Sequence, residues 1–325
     1  MPCSTTLPCS RFLPALLLML TLTACGRQEA PTRPAAEAAA DAPRIALVMK
    51  SLANEFFTSM ADGARAHQAA NPGQYELIVN GIRNESDLAQ QVALVEQMMA
   101  TGVDAIVIAP ADSRGLLPVA RRAVAQGIVV VNIDNRFDRD VLAEMGVEIP
   151  FVGPDNREGA RKVGEVLAAE LASGDQVAII GGIPGAFNAQ QRQAGFEDAM
   201  RSADIEVVSI QAADWEQARA ATVASAILGE HPGLRALLCA NDSMALGAVA
   251  AVRQAGRADE VLVVGFDNIS AANTLVQSGA MLATADQYGD QLAVFGIEYA
   301  LEILATGQAP QDRNTAVDVV VASAR

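Results

Sequence analysis

The sequence predicts an α/β protein made of two doubly wound lobes, and the first two observations behind this fold class are local patterns. From Arg44 onward, short β-branched runs alternate with long amphipathic stretches. Asp87–Thr101 is one such stretch, with apolar residues recurring every three or four positions, which is typical of a helix. The runs between these stretches are continuously apolar, and continuous apolar strands that alternate with helices indicate parallel sheets covered on both faces.

The third observation is that this alternation divides into two series. One series runs from Ile45 to about Met145, and a second runs from about Phe151 to about Asp286. About 280 residues follow the amino-terminal region, and at roughly 100–200 residues per domain they suffice for two lobes.

The predicted strands are β-branched runs of four to six residues. They are Ile45–Met49, Glu76–Val79, Ala105–Ile108, Ile128–Ile133, Val177–Ile180, Ile205–Ile210, Ala236–Cys239 and Val261–Val264. Gly102, Gly127 and Gly256 fall where the intervening helices are expected to end, because glycine readily takes the left-handed conformation of a helix C-terminus.

The amino terminus has the pattern of an export signal. Arg11 supplies a positive charge, and Phe12–Thr23 is an apolar run shorter than the roughly 20 residues that a membrane span requires. The run ends in Leu-Thr-Ala-Cys-Gly, which matches a bacterial lipobox, so residues 1–24 are predicted as a lipoprotein signal peptide and Cys25 as the lipidated residue. The alternative is a plain secretory signal followed by an incidental cysteine.

Residues 25–43 are rich in Ala, Pro and Glu, and we expect them to form a flexible tether. The chain carries a net charge of −15, which argues against nucleic acid and against electrostatic binding of anionic lipid. Cys3 and Cys9 would leave with the signal and Cys25 would carry lipid, so Cys239 would stand alone, in an apolar run where it is predicted to be an inert strand residue.

Polar and aromatic residues follow several of the predicted strands. Open α/β sheets bind ligands beyond the carboxyl ends of their strands, so two lobes with such rims predict a binding cleft. Planar polar groups suit the vicinal hydroxyls of a sugar, and aromatic faces suit its C–H surfaces. The candidates are Lys50, Asn54, Phe56, Phe57, Asp134, Asn135, Arg192, Trp215, Asn241, Phe266, Asp267 and Gln287.

After Pro43 the chain resembles the ribose-binding branch of the type I periplasmic binding proteins. The segments that carry the resemblance are IALVMKSLANEFF from Ile45, VDAIVIAPADS from Val103, IVVVNIDNRF from Ile128, GIPGAFNAQQRQAGF from Gly182, CANDSMALGA from Cys239 and VVGFDNIS from Val263. The resemblance implies two Rossmann-like lobes joined by a three-crossing hinge. It also implies sugar contacts at Asn54, Phe56, Phe57, Asp134, Asn135, Arg192, Trp215, Asn241, Asp267 and Gln287.

The expected crossings lie near Gly153–Pro154, Gln287–Tyr288 and Asn314–Thr315. We therefore expect an N-terminal lobe of residues 44–153 plus 288–314 and a C-terminal lobe of residues 154–287 plus 315–325. The last helix, about Gly289 to Thr306, would return to the first lobe, and a final strand, about Val317 to Val321, would pair in the second.

Two positions depart from the family pattern. Asp134-Asn135 stands where the family usually has Asp-Arg, and Lys50 stands where ribose binders tend to carry a small hydroxyl residue. One hypothesis is that Lys50 replaces the missing arginine charge opposite Asp134; the alternative is that Lys50 points to solvent. Trp215 would offer a broad face to the ligand or, alternatively, pack at the start of a helix.

Within the cleft, Arg192 and Asp267 on one lobe, and Asp134 and Asn54 on the other, are expected to bridge the ligand. Asp134 and Asp267 would act as ionised acceptors, and Arg192 would offer a fork of donors.

The sequence indicates neither an enzyme nor a cofactor or metal protein. Residues 181–185 follow a strand but lack the GxGxxG spacing of a nucleotide-binding loop, so a tight turn at the rim of the cleft is the better interpretation. Neither His67 nor His231 belongs to a sequence pattern typical of a metal site or a catalytic triad.

The predicted function is that of a substrate-binding lipoprotein of an ABC importer. It would be a monomer on the periplasmic side of the bacterial cell envelope, anchored through Cys25, that captures a monosaccharide or sugar alcohol and presents it to permease subunits. The alternative is a sugar-sensing receptor that signals to a chemoreceptor or a sensor kinase.

Overall fold

The computed structural model describes residues 42–323, which form two six-stranded sheets with helices on their faces. The signal peptide, the lipidated Cys25 and the tether up to residue 41 are predictions that lie outside these residues. Among residues 42–323, no helix combines the length and apolar character that crossing a membrane would require.

The first sheet is built from the amino-terminal half plus one late strand. Its strands are β1 (Arg44–Ser51), β2 (Glu76–Ile82), β3 (Ala105–Ile108), β4 (Val129–Ile133), β5 (Phe151–Pro154) and β11 (Arg313–Thr315). They lie in the order β2-β1-β3-β4-β5-β11, and every neighbouring pair is parallel.

The second sheet repeats this order with one reversed edge strand. Its strands are β6 (Gln176–Gly181), β7 (Glu206–Ala212), β8 (Leu234–Cys239), β9 (Leu262–Val264), β10 (Ala283–Asp286) and β12 (Asp318–Val321). They lie in the order β7-β6-β8-β9-β10-β12, and β12 runs antiparallel to β10.

Ten helices among the described residues connect the strands. They are α1 (Glu55–Ala70), α2 (Leu88–Thr101), α3 (Leu117–Ala125), α4 (Arg139–Met145), α5 (Asn156–Ala168), α6 (Phe187–Ser202), α7 (Gln217–Glu230), α8 (Asp242–Gln254), α9 (Ser270–Gln277) and α10 (Gly289–Thr306). Helix α10 packs on α1 and against the first sheet, although it follows the last parallel strand of the second.

Both faces of the first sheet are buried, as its continuous apolar strands predict. Along β1, Ile45 and Leu47 belong to one hydrophobic cluster, while Ala46 and Val48 belong to another, and all four are fully buried. The alternation places successive side chains on opposite faces. Cys239, at the end of β8, is fully buried in the core of the second sheet.

The predicted fold class is confirmed, and each of the eight predicted strands overlaps an observed one. The final strand pairs in the second sheet as expected, and α10 begins and ends where its sequence pattern predicts. Gly102 caps α2, while Gly127 and Gly256 lie one residue beyond the caps of α3 and α8; all three have positive φ.

One division was placed wrongly, and three strands were missed. Phe151 does not begin the second series, because Phe151–Pro154 pairs with β4 in the first sheet. The missed strands β5, β10 and β11 have only three or four residues each. Their sequences, FVGP, ATAD and RNT, also lack the β-branched runs that mark the predicted strands, so only tertiary pairing defines them.

Candidate functional site

A buried pocket lies between the two sheets, among the residues that follow the carboxyl ends of their strands. Its cavity volume in this arrangement of the lobes is about 20 Å³, far below the roughly 300–1,000 Å³ of sites for drug-sized ligands. The lining residues come from both halves of the fold: Lys50, Asn54, Phe56, Phe57, Glu85, Asp134, Asn188, Arg192, Trp215, Asn241, Asp267 and Gln287.

An ion pair from the first sheet forms one side of the pocket. Lys50 Nζ lies 3.3 Å from Asp134 Oδ2, with the two side chains only 3% and 2% exposed. The β1–β2 register shifts between Met49 and Ser51, so Lys50 sits at a bulge, where a strand can re-aim a side chain. Asp134 follows β4 with a φ of 60°, a left-handed conformation that Asp tolerates. The predicted pairing of Lys50 with Asp134 is therefore observed, and the solvent-facing alternative is wrong.

A second ion pair, from the other sheet, faces the same pocket. Arg192 Nη1 lies 3.2 Å from Asp267 Oδ1, and this guanidinium also donates to Asn156 Oδ1 and to the Ala240 carbonyl, each at 2.8 Å. Gln287 Nε2 donates to the same Asp267 oxygen at 2.7 Å. Arg192 is thus anchored within the second lobe through Nε and Nη1, and its Cζ lies 3.8 Å from the Phe266 ring centroid.

The protonation of Asp267 is set by opposing effects. Burial raises the pKa of this carboxyl well above its ordinary value, whereas the Arg192 guanidinium and the Gln287 amide act to lower it. The ionised form that the sequence predicts therefore depends on these two partners rather than on solvent.

Aromatic rings flank the Lys50 ammonium. Its Nζ lies 5.6 Å from the ring centroid of Phe57 and 5.6 Å from that of Trp215, one ring from each half of the pocket. Phe56 meets Phe57 edge-on, with centroids 5.1 Å apart. Trp215 is 4% exposed and lines the pocket, and its ring lies against Gly182, where a Cβ would approach ring atoms to 2.1 Å. Trp215 thus both presents a face to the pocket and packs before α7.

Glu85 is a third buried carboxylate of the pocket, and the sequence reasoning missed it. It accepts from Asn54 Nδ2 at 3.2 Å, while Asn54 Oδ1 caps α1 by accepting from Phe56 N. Burial raises the pKa of the Glu85 carboxyl to about 7, with the Lys50 ammonium opposing that shift. Strand β2 extends to Ile82 rather than to the predicted Val79. The polar run that follows this longer strand could have identified Glu85 from the sequence.

Asn188 is the second lining residue that the sequence reasoning missed. It lies in the first turn of α6, four residues before Arg192 and therefore on the same helix face. The four-residue spacing can be read from the sequence. The hydrogen bond that holds the Asn188 backbone is accepted by Asn135, a distant residue, and cannot be read from it.

Ten of the twelve predicted site residues line the pocket, and Asn135 and Phe266 do not. Asn135 is fully buried and hydrogen-bonds to the Pro110 carbonyl through Nδ2 and to Asn188 N through Oδ1. Phe266 stacks on the Arg192 guanidinium. Both support lining residues rather than facing the enclosed space.

Four buried polar atoms of the lining have no hydrogen-bond partner within residues 42–323. They are Asp134 Oδ2, Asn188 Oδ1, Trp215 Nε1 and Gln287 Oε1. The contact of Asp134 Oδ2 with Lys50 is an ion pair without hydrogen-bond geometry. Buried polar atoms are rarely left without hydrogen bonds, so this concentration makes the pocket the leading candidate for a polar ligand site.

A larger cavity of about 660 Å³ opens elsewhere between the two halves, near Asn156 and Asn314. All three of its arginines are already paired: Arg114 with Asp138, and Arg136 and Arg139 with Asp312. Within residues 42–323, no group of three or more His, Cys, Asp or Glu side chains is arranged to hold a metal ion. The smaller pocket, with its four polar atoms that lack hydrogen-bond partners, is therefore the better candidate for a ligand site.

Comparison with known proteins agrees with this architecture. A family model described as a periplasmic binding protein domain matches residues 45–309. A D-ribose/D-allose-binding protein of Pseudomonas aeruginosa is 55% identical over 302 residues, which cover 93% of this chain and 94% of that protein.

Two solved structures also match closely. An ABC transporter solute-binding protein from Burkholderia multivorans, with an unknown ligand represented as alpha-D-erythrofuranose, is 54% identical with a TM-score of 0.85, over 86% of this chain and 99% of that one. A periplasmic solute-binding protein of an ABC transporter from Actinobacillus succinogenes, with bound D-allose, is 37% identical with a TM-score of 0.81, over 86% and 97% of the two chains.

Proposed function

The chain belongs to the periplasmic binding protein family, in its ribose-binding branch, and we propose that it captures a monosaccharide of the ribose and allose class for an ABC importer. Members of this family are solute-binding proteins rather than enzymes. The sugar would occupy the pocket between the two lobes and be presented to the permease in the closed state.

The observation that carries this proposal is the set of four buried polar atoms on the pocket lining that lack a hydrogen-bond partner within residues 42–323. Three of them are acceptors as assigned and one, Trp215 Nε1, is a donor. Leaving such atoms buried without partners costs about 1–3 kcal/mol each. Sugar hydroxyls both donate and accept, so a polyhydroxylated ligand can satisfy all four at once.

The two ion pairs place charged groups on opposite sides of the pocket. Lys50–Asp134 lies on the first-lobe side and Arg192–Asp267 on the second, so a ligand between them contacts charged donors and acceptors from both lobes. A site built from buried polar groups discriminates strongly against a ligand that lacks one matching hydroxyl. Phe57 and Trp215 supply faces for the C–H surface of the ring.

The choice of sugar class rests on the relatives. The Pseudomonas relative is named for D-ribose and D-allose, and the Actinobacillus structure holds D-allose. These two sugars share the configuration at C2, C3 and C4, and allose adds a hydroxymethyl group. The solved relatives are described as ABC transporter components, which favours import over the signalling alternative.

The cell-envelope setting is part of the same proposal. Periplasmic binding protein relatives imply a periplasmic location. We propose that Cys25 carries the lipid anchor, that the domain acts as a monomer, and that the lobes comprise residues 44–153 plus 288–314 and residues 154–287 plus 315–325. The membership of the two sheets supports this division.

A ligand screen tests the function directly. The fragment from Ala42 onward would be titrated with D-ribose, D-allose, their epimers, myo-inositol and several amino acids, and followed by thermal unfolding and calorimetry. A bound sugar at 100 times its Kd should raise the unfolding free energy by about 2.7 kcal/mol. Binding of D-allose or D-ribose above the epimers supports the proposal. A response to amino acids alone contradicts it.

A further inference from the structure

Three helices in the described part of the second lobe, α6, α7 and α9, begin without a side-chain cap from their own sequence. Within residues 42–323, α6 has Ala186 at its N-cap and α9 has Ile269, and neither makes a side-chain capping bond. The first N–H groups of a helix have no intrahelical partner, and a buried helix start therefore needs acceptors from elsewhere.

For α6 the acceptors come from the first lobe. Phe187 N donates to Ser113 Oγ at 2.9 Å, and Asn188 N donates to Asn135 Oδ1 at 3.1 Å. Ser113 N in turn donates to the Gly185 carbonyl at 3.3 Å. We call Ser113 and Asn135 the cross-lobe cap.

The cap is itself held rigidly. Asn135 Nδ2 donates to the Pro110 carbonyl at 2.9 Å, and Ser113 Oγ donates to Asn135 Oδ1 at 3.4 Å. Asn135 and Ser113 are 0% and 5% exposed. Both acceptors are thus held by contacts within the first lobe that do not involve α6.

The residue that the cap holds is Asn188, whose side chain is free to bind a ligand. Asn188 lines the pocket, is 3% exposed, and its Oδ1 accepts no hydrogen bond from residues 42–323. A carboxamide offers a donor and an acceptor, so either orientation of the group suits a hydroxyl.

Gly185 shows how closely the lobes must approach. A Cβ on Gly185 would lie 2.2 Å from Asp112 Oδ2, while the φ of Gly185 lies outside the left-handed region. The Asp112 carboxylate cannot retreat easily, because its Oδ1 accepts from Arg114 N and Gly115 N at 2.9 and 2.7 Å. Glycine is therefore required at position 185 by the contact between lobes and not by local backbone strain.

Together these contacts couple closure to recognition. We propose that Ser113 and Asn135 cap α6 across the cleft, and that this cap delivers the Asn188 carboxamide to a hydroxyl of the bound sugar. Asn188 is then a sugar contact that exists only in the closed state, and Asn135 is a positioning residue that strengthens binding without touching the ligand. The inference rests on the proposed function.

The first test compares sugar affinities by calorimetry with D-allose and D-ribose. Asn188→Ala should raise the Kd of the sugar that binds by about 3- to 10-fold, which corresponds to one net hydrogen bond. Gln191→Ala, on the same helix but away from the pocket lining, should leave the Kd unchanged. An unchanged Kd in Asn188→Ala overturns the proposal, whereas failure of the unsubstituted protein to bind either sugar overturns the proposed function as well.

A double-mutant cycle separates positioning from general weakening. Asn135→Ala should raise the Kd, and its effect should be smaller when Asn188 is already alanine, because part of its role acts through that side chain. Strictly additive effects contradict the positioning role. The unfolding free energy of each sugar-free variant would be measured alongside, so that a loss of folding is recognised as such.

Gly185→Ala provides a test that leaves every lining atom in place. It should raise the Kd at least as much as Asn188→Ala, because the lobes can no longer meet, while the sugar-free protein keeps its stability. Gly229→Ala is the matched control, since a Cβ there meets nothing within 4 Å. Equal affinity in the Gly185 and Gly229 variants contradicts the cross-lobe cap.

Discussion

At the scale of single residues, the pocket is a set of charges that hold one another in place. Lys50 and Asp134 are paired on one lobe, and Arg192 and Asp267 on the other. Truncating one partner of a buried pair is costly, because the other charge is left without compensation. The stability of each lobe is therefore tied to the residues that meet the ligand.

Replacing Lys50 with Met tests this dependence. The side chain keeps its bulk but leaves Asp134 as an uncompensated buried carboxylate, so the unfolding free energy should fall by about 3–5 kcal/mol. Urea denaturation of the sugar-free protein would measure the change. Arg65→Met removes the exposed ion pair with Asp62 and should leave the urea midpoint unchanged. Equal midpoints for the Lys50 and Arg65 variants would contradict the prediction.

Glu85 predicts a pH dependence of stability. Its pKa is raised from 4.5 to about 7 in the folded protein, mainly by burial, so the folded state binds this proton more tightly than the unfolded chain does. Stability is then highest below the unfolded pKa and falls as the pH rises through the folded pKa near 7, by roughly 2–3 kcal/mol between pH 5 and pH 8.

Glu85→Gln should remove that part of the pH dependence, because the amide resembles the neutral acid at every pH. Thermal or urea unfolding at pH 5 and pH 8 would compare the variant with the unsubstituted protein. Lys50, Asn54, Asp134 and Glu216 also act on this carboxyl, and they are unchanged in both proteins. If stability changed equally between pH 5 and pH 8 in the two proteins, the assignment of this pH dependence to Glu85 would be wrong.

At the scale of elements, helix starts and strand ends place the functional groups. Asn54 and Asn241 line the pocket while capping α1 and α8 through their side-chain oxygens. The bulge at the end of β1 places Lys50, and a left-handed backbone at Asp134 and Asp267 follows β4 and β9. Regular patterns in the sequence predict the elements, but these irregular termini are set by contacts between distant segments.

The start of α9 resembles that of α6, since its acceptor also comes from the first lobe. Ser270 N donates to Glu55 Oε1 at 2.8 Å. Glu55→Ala should raise the Kd for sugar about two- to threefold, because the closed state loses one hydrogen bond near the positive end of a helix. Calorimetry at low and high salt would measure this, with Glu55→Gln expected to lie between. No change in Kd would show that this contact is irrelevant to closure.

At the scale of the whole molecule, ligand binding should favour the closed arrangement of the lobes. The sugar would contact both lobes, and a ligand shifts a population by its differential contacts with the two states. Small-angle X-ray scattering should therefore show a smaller radius of gyration with saturating D-allose than without it. Arg192→Ala, which removes a charged donor from the pocket, should show no such change at the same sugar concentration. Equal radii for the unsubstituted protein in both conditions would contradict ligand-driven closure.

The sequence contains enough information to predict the two sheets, the return of α10 and most of the pocket lining. These follow from local patterns and from the rule that ligands bind at the carboxyl ends of parallel strands. Glu85 escaped prediction because it follows β2, a strand longer than its β-branched run. Asn188 escaped prediction because it lies at the start of α6, where the sequence has no capping residue. Asn135 was placed in the ligand shell, whereas its oxygen caps a helix of the opposite lobe.

The burial of Cys239 makes it possible to follow the opening and closing of the lobes with fluorescent labels at other cysteines. Burial raises the pKa of its thiol, and the thiolate is the form that reacts with labelling reagents. A maleimide dye should therefore ignore Cys239 in the folded chain and attack a cysteine introduced on the surface of either lobe. Two such positions would report opening and closing by fluorescence transfer, and slow labelling of Cys239 itself would time the unfolding of the second lobe.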